Sequence, residues 1–166
     1  MTPMQIIFIG VAVVIAGSAM MVVTVRNLVH AALALIVTLF GVAVLFALLE
    51  AGFLAVVQVV LYIGAIAILI IFAIMLTRRV MQDVGPQTNT QWWLGALVAA
   101  ALFAALFWIL PQVQFPLTTA AVPADSLITL GASLVDMNRY ALPFEVASVL
   151  LIVALIGAIV VAGDKE

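Results

Sequence analysis

The sequence predicts an all-α, polytopic membrane protein with five transmembrane helices. Hydrophobic residues make up 69% of its 166 residues and charged residues only 7%, whereas a water-soluble domain carries about a quarter charged residues. The apolar residues are also grouped into five long runs, each near the ~20 residues that a helix needs to cross a bilayer. Composition and run length together predict a single transmembrane domain over residues 1–166.

The first predicted helix covers about residues 4–25 and the second about residues 30–49. We interpret the first as a retained membrane helix, because its N-terminal region lacks the positive charge of a signal peptide. The turn between the two helices is very short, which predicts antiparallel neighbours. Ala43 and Ala47 form a small-xxx-small pair on the second helix, a pattern that allows close approach of another helix.

The third predicted helix, residues 53–76, contains no charge but includes Gln58 and Tyr62. These residues are four apart, which predicts that they share one helical face. Polar atoms in hydrocarbon are costly without a partner, so this face should contact protein or water. Two interpretations are open. The side chains hydrogen-bond to a neighbouring helix, or they line a hydrated path and Gly64 marks a place where the helix can rewind.

The remaining chain alternates between polar loops and apolar helices. A loop is predicted over residues 77–91 and a fourth helix over residues 92–110. A second polar loop, residues 111–143, includes a short helix around Ser126 to Leu134. The fifth transmembrane helix covers about residues 144–162.

Three ionisable residues are predicted at helix ends. We interpret Glu50, between the second and third helices, as a solvated interfacial carboxylate, because a carboxylate inside the membrane is the costlier case. Glu145 is predicted in the first turn of the fifth helix, where the helix dipole favours negative charge and the missing N–H of Pro143 is not needed. His30 is interpreted as an interfacial or capping residue rather than a proton relay.

The basic residues predict the orientation of the chain. Five spans would place Arg26, Arg78, Arg79 and Lys165 on one side and Arg139 on the other. Because Lys and Arg accumulate on the cytoplasmic side, the N-terminus is predicted outside and the C-terminus in the cytoplasm.

No catalytic, cofactor-binding or metal site is predicted in this chain. Cysteine is absent, which excludes disulfides, thiolate metal sites and cysteine-ligated iron–sulfur clusters within it. The chain has one histidine, which excludes a multi-histidine haem site. It has no phosphate-binding glycine motif and no basic patch for nucleic acid. The pattern favours a protein that conducts protons or ions, or holds other membrane subunits together.

Two stretches carry a family resemblance: Tyr62-Ile-Gly-Ala-Ile in the third helix and Leu142-Pro-Phe-Glu at the start of the fifth, with a weaker match at Arg26-Asn-Leu-Val-His. They resemble the J subunits of bacterial NADH-quinone oxidoreductase (respiratory complex I), the counterparts of mitochondrial chain 6. The resemblance implies a π-bulge around Tyr62 to Ala65. Interconversion of this bulge with regular helix would open and close a water path that couples quinone reduction to proton translocation.

The same resemblance implies roles for individual residues. Tyr62, Gly64, Gln58 and Ala65 would belong to the proton path or its gate. Gln58 can order water but cannot carry a titrating proton. Glu50 and Glu145 resemble acidic positions of the family at helix ends, and neither is assigned a catalytic role.

The resemblance further implies partners and location. Other membrane-arm subunits and the lipid bilayer would surround the chain, in the inner (plasma) membrane of the cell. Neighbouring subunits would bind the quinone and the iron–sulfur clusters, with FMN and NADH as further expected groups, and this chain would hold no cofactor. Two other functions are open: a subunit of a multisubunit cation/proton antiporter, and a purely structural membrane scaffold.

Overall fold

The computed structural model describes residues 2–77, 91–113 and 125–163, and these ranges are helical apart from short turns. Five helices in them are long and apolar enough to cross a membrane, which confirms the predicted fold class. The helices are α1 (Pro3–Thr24), α2 (Leu28–Leu48), α3 (Gly52–Leu76), α4 (Trp92–Ile109), the short α5 (Ser126–Val135) and α6 (Ala141–Ala162). The orientation stays a prediction, and three of its basic residues lie outside the described ranges: Arg78, Arg79 and Lys165.

The contacts of the chain divide it into two compact units, Met1–Thr118 and Thr119–Glu166. In the first unit α2 is the central element, because it packs against both α1 and α3. In the second unit α5 packs against α6. The short helix predicted around Ser126 to Leu134 is present as α5.

Side-chain caps fix where the first two helices begin. The Oγ1 of Thr2 accepts a hydrogen bond from the N–H of Gln5, and the Thr2 N–H donates to the Gln5 side chain, which makes a reciprocal capping box. The Oδ1 of Asn27 accepts from the N–H groups of Val29 and His30 at 3.0 and 3.5 Å. α2 therefore begins at Leu28, earlier than the apolar run alone suggested.

The α1–α2 interface combines a hydrogen bond with a close approach of the two helices. Thr38 Oγ1 donates to Ser18 Oγ at 2.8 Å, and Ser18 is buried. A Cβ added to Gly41 would overlap Cγ1 of Ile15, so only glycine fits at this crossing. The buried residues of α2 are all small: Ala31, Ala32, Ala34, Gly41 and Ala43.

The turn between α2 and α3 is a Schellman motif with glutamate at the position that usually holds glycine. Glu50 has a φ of 60°. Its N–H donates to the Ala47 carbonyl at 3.1 Å, and the Ala51 N–H donates to the Phe46 carbonyl at 2.9 Å. These two bonds define the motif. A left-handed residue with a Cβ costs ~1–2 kcal/mol relative to a right-handed one.

We expect Gly41→Ala to weaken the α1–α2 interface. The β-branched Ile15 side chain is held in one main χ1 rotamer in a helix, so it cannot easily yield to the new methyl group. Overpacking of this kind costs about 1–3 kcal/mol. The measurement is the free energy of unfolding of the purified full chain in detergent micelles.

Gly17→Ala is the matched control, because a Cβ at Gly17 meets no described atom within 4 Å. It should leave the stability unchanged or slightly raised. The double variant Gly41→Ala with Ile15→Ala should recover part of the loss. Equal stabilities of the Gly17 and Gly41 variants would contradict the close approach.

We expect Glu50→Gly to be more stable than Glu50→Gln. Both substitutions remove the charge, but only glycine relieves the left-handed backbone, and the difference should be about 1 kcal/mol in the free energy of unfolding. The same measurement in micelles tests it. A glutamine variant as stable as the glycine variant would show that the turn carries no backbone cost.

Candidate functional site

The middle of α3 is a π-helix from Gln58 to Ala67, which we call the π segment. Ordinary α-helix precedes it over Gly52–Val57 and follows it over Ile68–Leu76. The π segment contains all four residues predicted for a path or gate: Gln58, Tyr62, Gly64 and Ala65. Its ten residues make it longer than the single-turn bulge that is the usual form of this conformation.

The two ends of the π segment are its buried residues. Gln58 is 7% exposed and Ala67 is 1% exposed. In the described part of the chain, α2 is the helix against which the π segment packs, and we attribute the burial of both residues to that contact. They are nine positions apart, which is two and a half turns at ~3.6 residues per turn and would put them on opposite faces of an α-helix. The wider π winding brings both to α2.

Tyr62 lies in a different environment from Gln58. Its side chain is 45% exposed, and it makes no side-chain hydrogen bond within residues 2–77, 91–113 and 125–163. The two side chains therefore differ in exposure. That they share one helical face stays a prediction.

Gly64 and Ala65 occupy the exposed part of the π segment. A Cβ added to Gly64 would lie 3.5 Å from the Val59 carbonyl oxygen, an ordinary van der Waals distance. The position is therefore not restricted to glycine by lack of space. Glycine instead lowers the cost of changing the backbone conformation there.

The two predicted acidic residues lie at helix ends and are exposed. Glu50 occupies the left-handed position in the turn before α3. Glu145 belongs to the second compact unit. It is the fifth residue of α6, because that helix begins at Ala141, and the first turn of α6 contains no acidic residue. The prediction of Glu145 in the first turn is therefore wrong. Pro143 is tolerated at the third position, where no intrahelical N–H bond is needed.

One feature of the site was not predicted from the sequence. An apolar groove of about 360 Å³ runs between α2 and α3, beside the π segment. Its walls carry no charged or polar side chain, and its lining residues are Phe40, Ala43, Val44, Ala47, Ala55, Val56, Val59 and Val60. In the sequence, only the small-xxx-small pair at Ala43 and Ala47 indicated this groove. Nothing in the sequence indicated that Ala67 would be buried.

Comparison with known proteins identifies the family. The family of NADH-ubiquinone/plastoquinone oxidoreductase chain 6 matches residues 18–161. The NAD(P)H-quinone oxidoreductase chain 6 of Leptolyngbya boryana is 38% identical over 161 residues, which cover 93% of this chain and 77% of the relative. The F(420)H(2) dehydrogenase subunit J of Methanosarcina mazei is 39% identical over 150 residues, which cover 87% and 82%. The chain therefore belongs to the chain 6 family of NADH-quinone oxidoreductases, as a multi-pass membrane subunit.

Proposed function

We propose that this chain is a membrane-arm subunit of a proton-translocating quinone oxidoreductase, in which the π segment gates a water path between the quinone-binding region and the proton channels. The observation that supports it most is the burial of Gln58 and Ala67 on one side of α3. That arrangement requires the segment to be wound as a π-helix. A change of winding would therefore change which residues of α3 contact α2.

Rewinding to a regular α-helix would change what α3 presents to its neighbours. Each residue of an α-helix turns by ~100°, so the nine residues from Gln58 to Ala67 would then end on opposite faces. One of the two would leave α2. The exposed residues between them, including Tyr62, would rotate as well. Such a rotation can connect or interrupt a row of water molecules beside the helix.

The side chains of the π segment suit water rather than redox chemistry. The amide of Gln58 offers two N–H donors and a carbonyl acceptor, and the hydroxyl of Tyr62 offers one donor and acceptor sites. Both can orient water. The proposed roles are hydrogen-bonding positions for Gln58 and Tyr62, and conformational freedom at Gly64 and Ala65. Glu50 and Glu145 are helix-end carboxylates without a catalytic role.

The electron-transfer chemistry belongs in this proposal to other subunits. They would hold iron–sulfur clusters and bind the quinone, with FMN and NADH as further groups, while this chain binds no cofactor. The names of the relatives refer to different electron donors, NAD(P)H in one and F(420)H(2) in another. A membrane subunit shared by both kinds of enzyme is expected to act on proton movement rather than on the donor. The proposed location is the inner (plasma) membrane.

We expect Tyr62→Phe and Gly64→Val to lower proton translocation in the assembled complex. The first removes a hydroxyl worth ~1 kcal/mol as a hydrogen bond, which corresponds to about a fivefold slower rate. The second places a stiff β-branched side chain where the helix must rewind. The measurement is the initial rate of proton uptake in vesicles that contain the complex, followed with a pH-sensitive dye.

Two matched variants control for composition and folding. Tyr140→Phe removes a hydroxyl from the turn before α6, and Gly157→Val changes a glycine of α6 whose Cβ would meet no described atom within 4 Å. Both should translocate protons normally. Normal proton uptake in the Tyr62 and Gly64 variants would refute the gating role. Loss of assembly in them would support a packing role instead.

Copurification separates the quinone oxidoreductase from the two other functions. When the tagged chain is purified from membranes in mild detergent, peripheral iron–sulfur subunits and a quinone-binding subunit should accompany it. A cation/proton antiporter would contain neither, and a scaffold would show no fixed set of redox subunits. Mass spectrometry of the purified complex decides among them.

A further inference from the structure

The short helix α5 buries a polar residue and exposes its apolar ones. Ser126, Thr129 and Ser133 are spaced i, i+3 and i+7, so they lie on one face, the polar arc. Ser133 is 6% exposed, whereas Ile128 and Val135 are each 73% exposed. At ~100° per residue Leu127, Ile128 and Val135 lie on the opposite side of the helix, which we call the apolar arc, whereas Leu130 lies beside Ser126.

Ser133, the buried member of the polar arc, contacts the turn that leads into α6. Ser133 Oγ donates to the Thr129 carbonyl at 2.7 Å and accepts from Arg139 Nη1 at 3.3 Å. Arg139 also pairs with Asp136, with Nε and Oδ2 3.6 Å apart. The Tyr140 N–H donates to the Ser133 carbonyl at 3.2 Å. These contacts tie the end of α5 to the residue that precedes α6.

Length and connection determine where α5 can lie. Its ten residues extend ~15 Å, half of what is needed to cross the hydrocarbon core. α6 begins six residues after Val135 and is a membrane-spanning helix. α5 must therefore stay close to the membrane surface at the point where α6 enters it. Tyr140 lies in the connection and is more than half exposed, as suits an aromatic ring at headgroup level.

We propose that α5 is an interfacial helix, lying along the bilayer surface with its apolar arc against lipid acyl chains and its polar arc towards headgroups and water. Transfer of apolar surface from water to hydrocarbon supplies the driving force. Arg139 is the only basic residue between positions 125 and 163, and it is paired with Asp136. The attachment therefore rests on apolar contact rather than on attraction to anionic lipid. It is independent of the proposed gating.

The absence of cysteine from the chain allows a direct test with single-cysteine variants. Ile128→Cys and Val135→Cys probe the apolar arc, and Ser126→Cys and Thr129→Cys probe the polar arc as matched controls. The assembled complex is placed in phosphatidylcholine vesicles that are permeabilised, so that a charged maleimide reaches both membrane faces. After treatment with the maleimide, this chain is isolated under denaturing conditions. We expect labelling about tenfold slower on the apolar arc, because hydrocarbon excludes a charged reagent.

A second measurement distinguishes lipid from a neighbouring subunit. The wild-type complex is placed in the same vesicles with a phosphatidylcholine that carries a photoreactive diazirine near the ester end of its acyl chain. Lipid adducts on Ile128 or Val135 would support the proposal. Equal maleimide labelling of both arcs would overturn it, because α5 would then be in water. Protection without lipid adducts would also overturn it, because a protein partner would then cover the apolar arc.

Discussion

The first three helices depend on two unlike interfaces of α2. Towards α1, the hydrogen bond between Thr38 and Ser18 and the contact of Gly41 with Ile15 fix the position of the two helices. Towards α3, the contact is apolar and borders an open groove. In the described ranges no side-chain hydrogen bond joins α2 to α3. The proposed change of winding in α3 would therefore break no side-chain hydrogen bond between α2 and α3 within these ranges, while the α1–α2 pair would remain a fixed support.

In the proposed gate, the position of Gln58 would link winding to water. In the π-wound state this side chain is buried within the chain. If rewinding turned Gln58 outwards, its donors and acceptor would face hydrocarbon, which costs several kcal/mol unless water or protein receives them. Rewinding of that end is therefore favourable only where water enters. In the proposed gate, hydration and helix winding would then be two aspects of one equilibrium.

The sequence predicts the number and position of the membrane helices because hydropathy follows side-chain composition directly. It predicts helix starts less well, because caps such as Asn27 depend on one hydrogen bond. The extent of the π segment could not be predicted from the spacing of polar residues, because that reasoning assumes an α-helix with ~3.6 residues per turn. Ala67 carried no signal at all: an alanine among apolar residues becomes an interface residue only through the π winding. The left-handed Glu50 was equally hidden, because that position usually belongs to glycine.

The packing of the chain also bears on the proposed change of winding in α3. No large side chain is fully buried in the described ranges, and every described residue of α4 is exposed. Much of the energy that holds these helices must then come from lipid and from other subunits, because helices in a bilayer associate through packing and hydrogen bonds rather than through the hydrophobic effect. In the proposed gate, the balance between the two windings of α3 would consequently not be a property of this chain alone. A neighbouring subunit that contacts the exposed side of the π segment, where Tyr62 lies, would favour the winding to which it binds more strongly.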